Sequence, residues 1–142
     1  MINPTYSFAD VSLVLSHPAI GTFTFTGEGV GSVTIARAND VTAHDLAADG
    51  SVMPSKIIAK NGTMALAIQQ TSAGHAWLKK AYAYLENAPT DQWVGMTGVL
   101  KDPALGDTIN MTGISFQKKA DAGYQQTGQQ VGWNFMVCEI TG

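Results

Sequence analysis

Three histidines, one cysteine and eleven acidic residues carry the nucleophilic, acid–base or metal chemistry open to this 142-residue chain. Their spacing argues against all three. His17 falls where a strand pattern breaks, His44 lies in a long connection, and His75 stands at the start of a helical pattern. None has a second histidine at i, i+4 or a Cys/His cluster beside it, as a zinc site needs, so they read as solvated or capping residues. His44-Asp45 is the one weak metal-binding pair. Asp40, Asp45 and Asp49 miss the spacing of a calcium loop, and no bidentate glutamate closes it. Cys138 has no histidine near it in sequence, no G-x-S-x-G elbow occurs, and a small buried hydrophobe is its expected role. Gly27-Glu28-Gly29-Val30-Gly31 lacks the G-x-G-x-x-G spacing and runs into a strand pattern rather than a helix, so it reads as a turn. The expectation is a non-enzyme, with no catalytic residue, no metal and no cofactor.

The composition behind these residues is unusual in one respect. Apolar residues make up 45%, which is ordinary, but charged residues only 13%, about half the usual share. A disordered chain combines high charge with low hydrophobicity, so that class is excluded. A net charge of −3 argues against a dedicated nucleic-acid binder. No stretch of ~20 apolar residues predicts a membrane span. Residues 1–6 show neither a basic nor an apolar leader region, so Asn61-Gly62-Thr63 and Asn110-Met111-Thr112 read as a turn and a strand rather than glycosylation acceptors. One cysteine cannot staple its own chain, which fits synthesis in a reducing cytoplasm.

Small uncharged residues replace charge. Ala, Gly, Thr and Ser contribute 55 residues, and no Asp, Glu, Lys or Arg falls in 11–27, 61–78 or 122–138. Permanent interfaces deplete Lys, Glu and Asp at their centres, so one reading covers much of this surface with other subunits. A low-charge monomer is the other. Lys79-Lys80 and Lys118-Lys119 are the only adjacent like-charge pairs, each a solvated face or a partner contact.

The elements follow from periodicity. Residues 11–16 alternate, with Val11, Leu13 and Leu15 on one face, until His17-Pro18 interrupts. Residues 21–27 place phenylalanines on one face and threonines on the other, and 32–37 resume the alternation. The short link between those two runs predicts a β-hairpin. Residues 38–55 have weak periodicity, and Asp49-Gly50 is a tight-turn signal, so a protruding loop or hairpin is expected there. Asn61-Gly62, between the runs 56–60 and 63–69, predicts a second hairpin. Thr71 or Ser72 can cap a helix over about 72–86, with Trp77, Leu78, Ala81, Tyr82 and Leu85 as its apolar stripe. Strands are expected at 92–101 and 108–118, with a bulge near Gly113. After the Gly/Gln-rich loop 120–130, a last strand over 131–140 has apolar residues on both faces and should be covered on both. The chain therefore reads as one mainly β domain over 1–142. Its architecture is an antiparallel sandwich or barrel of about eight strands with one flanking helix.

The order of these pieces resembles a known family. A Tyr6-Ser7-Phe8-Ala9-Asp10-Val11 strand, the Asp49-Gly50-Ser51 segment, Asn61-Gly62-Thr63 followed by Leu66, Gln69-Gln70-Thr71-Ser72 and a single helix are similar to the tail tube proteins of contractile-tailed bacteriophages. That resemblance implies a virion structural protein whose hexameric rings close around a shared β-barrel and stack into a tube through which DNA leaves. It also implies sheath and baseplate proteins as partners, passage of DNA without specific binding, no membrane, and assembly in the host cytoplasm. A ring-forming tail terminator or baseplate adaptor, or a type VI secretion-like tube protein, is the alternative. A small enzyme or ligand-binding barrel is a third class.

Closing a sheet across subunits removes its exposed edges. A duct for DNA should not grip phosphates, so Thr22, Thr24, Thr26, Ser32 and Thr34 are expected to face the lumen. Ring stacking needs a head-to-tail contact that does not close on itself. The protruding segment supplies it, with Val41, His44, Asp45, Leu46, Asp49, Ser51 and Val52 as expected contacts. Lys79 and Lys80 are expected to face the sheath.

Overall fold

Period-2 alternation becomes nine antiparallel strands in a computed structural model, which describes residue 5 and residues 7–26 and 29–142. In chain order they are β1 (Ser12–His17), β2 (Gly21–Phe25), β3 (Val30–Arg37), β4 (Thr42–Leu46), β5 (Val52–Lys56), β6 (Gly62–Gln69), β7 (Met96–Asp102), β8 (Asp107–Phe116) and β9 (Gln130–Thr141). One helix, α1 (Ala73–Asn87), follows β6. Seven strands form a sheet in the order β2-β1-β7-β8-β9-β6-β3, and β4 and β5 form a sheet of their own. The fold is mainly β, as the alternation predicts.

The seven-stranded sheet curls around one core, because inward residues from all its strands meet in a single cluster. Leu13, Leu15, Met64, Leu66, Ile68, Trp133 and Phe135 are buried at its centre. Each such side chain contributes roughly 1.5–3 kcal/mol on burial. The ring of Phe116 lies 5.5 Å from that of Trp133 and 5.0 Å from that of Phe135.

Helix α1 starts where the backbone N–H of His75 donates to Ser72 Oγ at 3.2 Å, an N-cap that satisfies one orphan donor. Leu78, Ala81 and Leu85 turn inward on successive turns and are buried. Gly74 lets the helix approach β2: a Cβ there would stand 2.6 Å from the Phe25 ring. The stripe foreseen from spacing is the one that packs.

A bulge also lies where the apolar phase changes. Met96 faces Ile114, but Gly98 faces Met111, so β8 carries one extra residue. Gly113 takes φ +66° there, and a Cβ on it would lie 2.6 Å from Cys138 Cβ.

Several expectations fail, each for a tertiary reason. β2 and β3 do not pair; β2 pairs with β1 and β3 with β6, placing them at opposite edges of the sheet. The foreseen turn between them includes Gly27 and Glu28, which lie outside the described residues, as do residues 1–4 and Tyr6. Asn61-Gly62 turns no hairpin, because β5 pairs with β4 and β6 lies between β3 and β9. Gly62 is needed instead for close approach, since a Cβ there would collide with the Ala36 carbonyl oxygen. Phe8–Asp10 is a 3-10 turn rather than part of a strand, and β7 starts at Met96, after a 3-10 turn over Thr90–Gln92. β9 is covered on one face only: Met136 is 44% exposed, and Cys138 is exposed rather than a buried hydrophobe.

Candidate assembly surfaces

The β4–β5 sheet is built unlike the rest. Every residue of both strands is exposed. Its turn is sharp because Gly50 takes φ +89°, and the Ala47 amide donates to the Ser51 carbonyl at 2.8 Å. Asp49 accepts from both the Ser51 hydroxyl, at 2.7 Å, and the Ser51 amide, at 2.9 Å. Those two bonds, the hydroxyl first, hold the Asp49 carboxyl below the usual aspartate pKa. At the neck, the Ile57 amide donates to the Val41 carbonyl at 2.8 Å, and the Ala38 amide to the Asn61 carbonyl at 3.1 Å. Register puts His44 opposite Pro54 and Leu46 opposite Val52 on one face, and Asp45 opposite Met53 on the other. Leu46, Val52 and Met53 are all exposed.

The outer face of the seven-stranded sheet is the second surface. Thr24, Val14, Val99 and Asn110 stand side by side across β2, β1, β7 and β8. Thr34, Ala65 and Asn134 do so across β3, β6 and β9, as do Ser32, Ala67 and Gly132. These rows are short, polar or small, and uncharged. Lys101, level with Ser12 and Thr108, and Glu139, level with Thr112, bring one charge of each sign toward the end of the face. β2 and β3 close the sheet on neither side, so among the described residues each presents a row of backbone groups without a ladder partner. A third surface is the outward side of α1, where Lys79 and Lys80 are both exposed.

The fold and these surfaces have counterparts. The family model for the bacteriophage PhiTE tail tube protein matches residues 3–142. The chain belongs to that tail tube family. Solved structures share the fold at low identity. A chain of the anti-feeding prophage baseplate, 6-fold symmetrised, has a TM-score of 0.65 at 9% identity, over 99% of this chain and 96% of that one. A chain of the sheath-tube complex of the PVC extracellular contractile injection system, in the extended state, has a TM-score of 0.56 at 9% identity, over 91% and 86%. A chain of the anti-feeding prophage tube-terminating cap has 0.56 at 8% identity, over 99% and 91%. Comparison with curated protein sequences gave no match.

For this tail-tube-type structural protein of the phage virion, the residues singled out by sequence fall in distinct places. Val41, His44, Asp45, Leu46, Asp49, Ser51 and Val52 are all exposed on or beside the β4–β5 hairpin. Thr22, Thr24 and Thr26 are exposed on and just after β2, and Ser32 and Thr34 on β3. The two sets are therefore on opposite edges of the sheet, not on one hairpin. Sequence reasoning missed Ile58, 86% exposed, and Tyr124, 85% exposed. For Ile58 the signal was the apolar pair Ile57-Ile58 set between Lys56 and Lys60.

The histidines are positioned separately. His17 is buried rather than solvated. Its Nδ1 accepts from the Ala19 amide at 3.0 Å, so Nε2 carries the proton toward the Gln92 carbonyl, also at 3.0 Å. His75 Nδ1 accepts from Trp133 Nε1–H at 3.1 Å. Burial first, and then Lys79 one turn away, lower the His75 pKa. Among the described residues no three His, Cys, Asp or Glu side chains are grouped to hold a metal, and no helix is long and apolar enough to cross a membrane.

Proposed function

We propose that copies of this protein close side by side into a hexameric ring, and that the rings stack head-to-tail into the hollow tube of a contractile phage tail. The observation that carries the reading is the pair of bare edges, β2 and β3, on a sheet whose outer face is built mostly of short, uncharged side chains, with charge only toward one end. A long unpaired edge is an invitation to strand pairing. Joining β2 of one copy to β3 of the next would remove both edges and extend the sheet into a shared barrel. The same step brings Thr22, Thr24 and Thr26 beside Ser32 and Thr34 of the neighbour, a hydroxyl-lined stretch of lumen that offers DNA no cation to bind at the seam. The sixfold symmetry imposed on the similar baseplate structure supports the ring number.

Stacking is assigned to the β4–β5 hairpin, through Val41, His44, Asp45, Leu46, Asp49, Ser51 and Val52. Lys79 and Lys80 on α1 are assigned to the sheath, and baseplate proteins receive the end of the tube. Assembly takes place in the host cytoplasm, in keeping with a single exposed thiol. Negative-stain microscopy of purified protein tests the reading: long hollow rods support it, and a solitary particle at high concentration overturns it. Deleting residues 41–52 should leave the sheet folded and abolish rods. A terminator or adaptor is the second reading, favoured by the shared fold with the baseplate and cap chains; it requires assembly to stop at one ring.

A further inference from the structure

The hairpin and the Gly/Gln-rich connection lie at opposite ends of the same strands. The hairpin leaves and rejoins the sheet where Arg37 faces Gly62 and Gly62 faces Val137. The connection 117–129 leads into β9 at the other end, where Gln69 faces Gln130. Eight residues of β6 separate the two, roughly 25 Å of strand. Strands of a closed barrel tilt about 35–45° from its axis, so their two ends open toward opposite mouths.

The hairpin and the connection carry opposite charge, with Arg37 and Lys60 at the hairpin's neck outside that count. Residues 40–56 hold three aspartates and one lysine, whereas 117–129 hold two lysines and one aspartate. Lys118 meets Asp121 at 3.5 Å, the one salt bridge among the described residues. Lys119 and Asp45 are both exposed and both unpaired there. The connection is also held in place as a platform. Gln70 Nε2 donates to the Gly123 carbonyl at 2.7 Å, and the Gln70 amide donates to the Gln129 carbonyl at 3.1 Å. Tyr124 projects from it, 85% exposed, and Leu46 projects from the hairpin, 71% exposed.

We infer that the 117–129 connection is the seat on one ring for the acidic hairpin of the next, a second copy of this chain, with Lys119 meeting Asp45. The inference rests on the tube reading and adds its polarity: which end of the subunit receives which. A head-to-tail contact joins two different patches, and complementary charge fixes its register and disfavours wrong docking. Lys119, which makes no ion pair among the described residues, gains a role in this way.

Charge reversal of the full-length chain is the test, read by pelleting of rods and by negative stain. Lys119→Glu and Asp45→Lys should each cut rod mass about tenfold or more at a fixed concentration, with the thermal melt unchanged. The combined variant should regain rods. Rods of Lys119→Glu equal to those of the unaltered protein overturn the seat and leave the tube reading intact. Loss in both single variants without recovery in the double overturns the Lys119–Asp45 pairing. An unaltered protein that never forms rods overturns the tube reading and this inference together.

Discussion

The β4–β5 hairpin and the β6–β9 pair are both antiparallel ladders of unremarkable length, yet they use their side chains in opposite ways. In β6 and β9, Met64, Leu66, Ile68, Trp133 and Phe135 are buried on one face of a curled sheet. In β4 and β5 nothing is buried. An isolated two-stranded hairpin is marginally stable in water. The one pair therefore supplies the fold, while the other depends on its neck bonds and on whatever it meets outside the protomer. Backbone pairing alone does not distinguish a structural element from an interface element; the destination of the side chains does.

The most severe way to break that contrast is to cut side chains from each region. Trp133→Ala should cost about 3–5 kcal/mol of folding stability, read as a lower urea midpoint. Leu46→Ala should stay within about 0.5 kcal/mol of the unaltered protein while rod yield falls. Similar losses of midpoint for both would show that the hairpin is part of the core after all.

Two left-handed glycines sharpen the comparison at smaller magnitude, one in each region. Gly113→Ala places a Cβ against Cys138 at φ +66° and should cost about 1–3 kcal/mol globally. Gly50→Ala at φ +89° meets nothing within 4 Å, so only the turn is strained. Its effect should be confined to faster amide exchange in the hairpin, with an unchanged global melt. A lowered melt for Gly50→Ala would mean that the hairpin unfolds together with the sheet.

The same contrast explains what the sequence revealed. Trp77, Leu78, Ala81, Tyr82 and Leu85 announced α1 by spacing, Thr71 or Ser72 was legible as its cap and Ser72 proved to be it, and the phase change around Gly113 announced the bulge. Those signals are local, and the local energy decides them. Strand partners are not local. Thr22 to Phe25 and Ser32 to Ile35 showed which side chains turn inward, but alternation carries no record of which strand lies alongside. β1 and β6 claimed those ladders, and the expected hairpin never formed. Asn61-Gly62 misled for a related reason: the glycine answers the approach of Ala36, not a turn. At the proposed interface, the low charge was legible early, whereas the separation of Thr24 and Thr34 to opposite edges required the topology.

The smallest effect expected is that of pH on the core-facing side of α1. Trp133 Nε1–H needs a lone pair on His75 Nδ1, which only the neutral imidazole provides. Burial and Lys79 lower the His75 pKa in the folded chain, whereas the unfolded chain keeps the ordinary value near 6.5. The folded state therefore binds the proton less readily. The stability this contributes is present above about pH 6.5 and is lost as pH falls through the lower, folded pKa. Because His75 is only half-buried, solvent screening keeps the contribution under about 1 kcal/mol. The unaltered protein should lose a degree or two of melting temperature between about pH 7 and pH 5.5. His75→Gln, whose amide oxygen can still accept from Trp133, should flatten that slope. An identical slope in the variant would place the titration elsewhere and leave the Trp133–His75 bond without a role in acid sensitivity. The hairpin supplies a contrast in more acid solution: Asp49 is also held below its usual pKa, but in a fully exposed turn, so it stays ionised across that pH range and its protonation at lower pH should loosen only the turn.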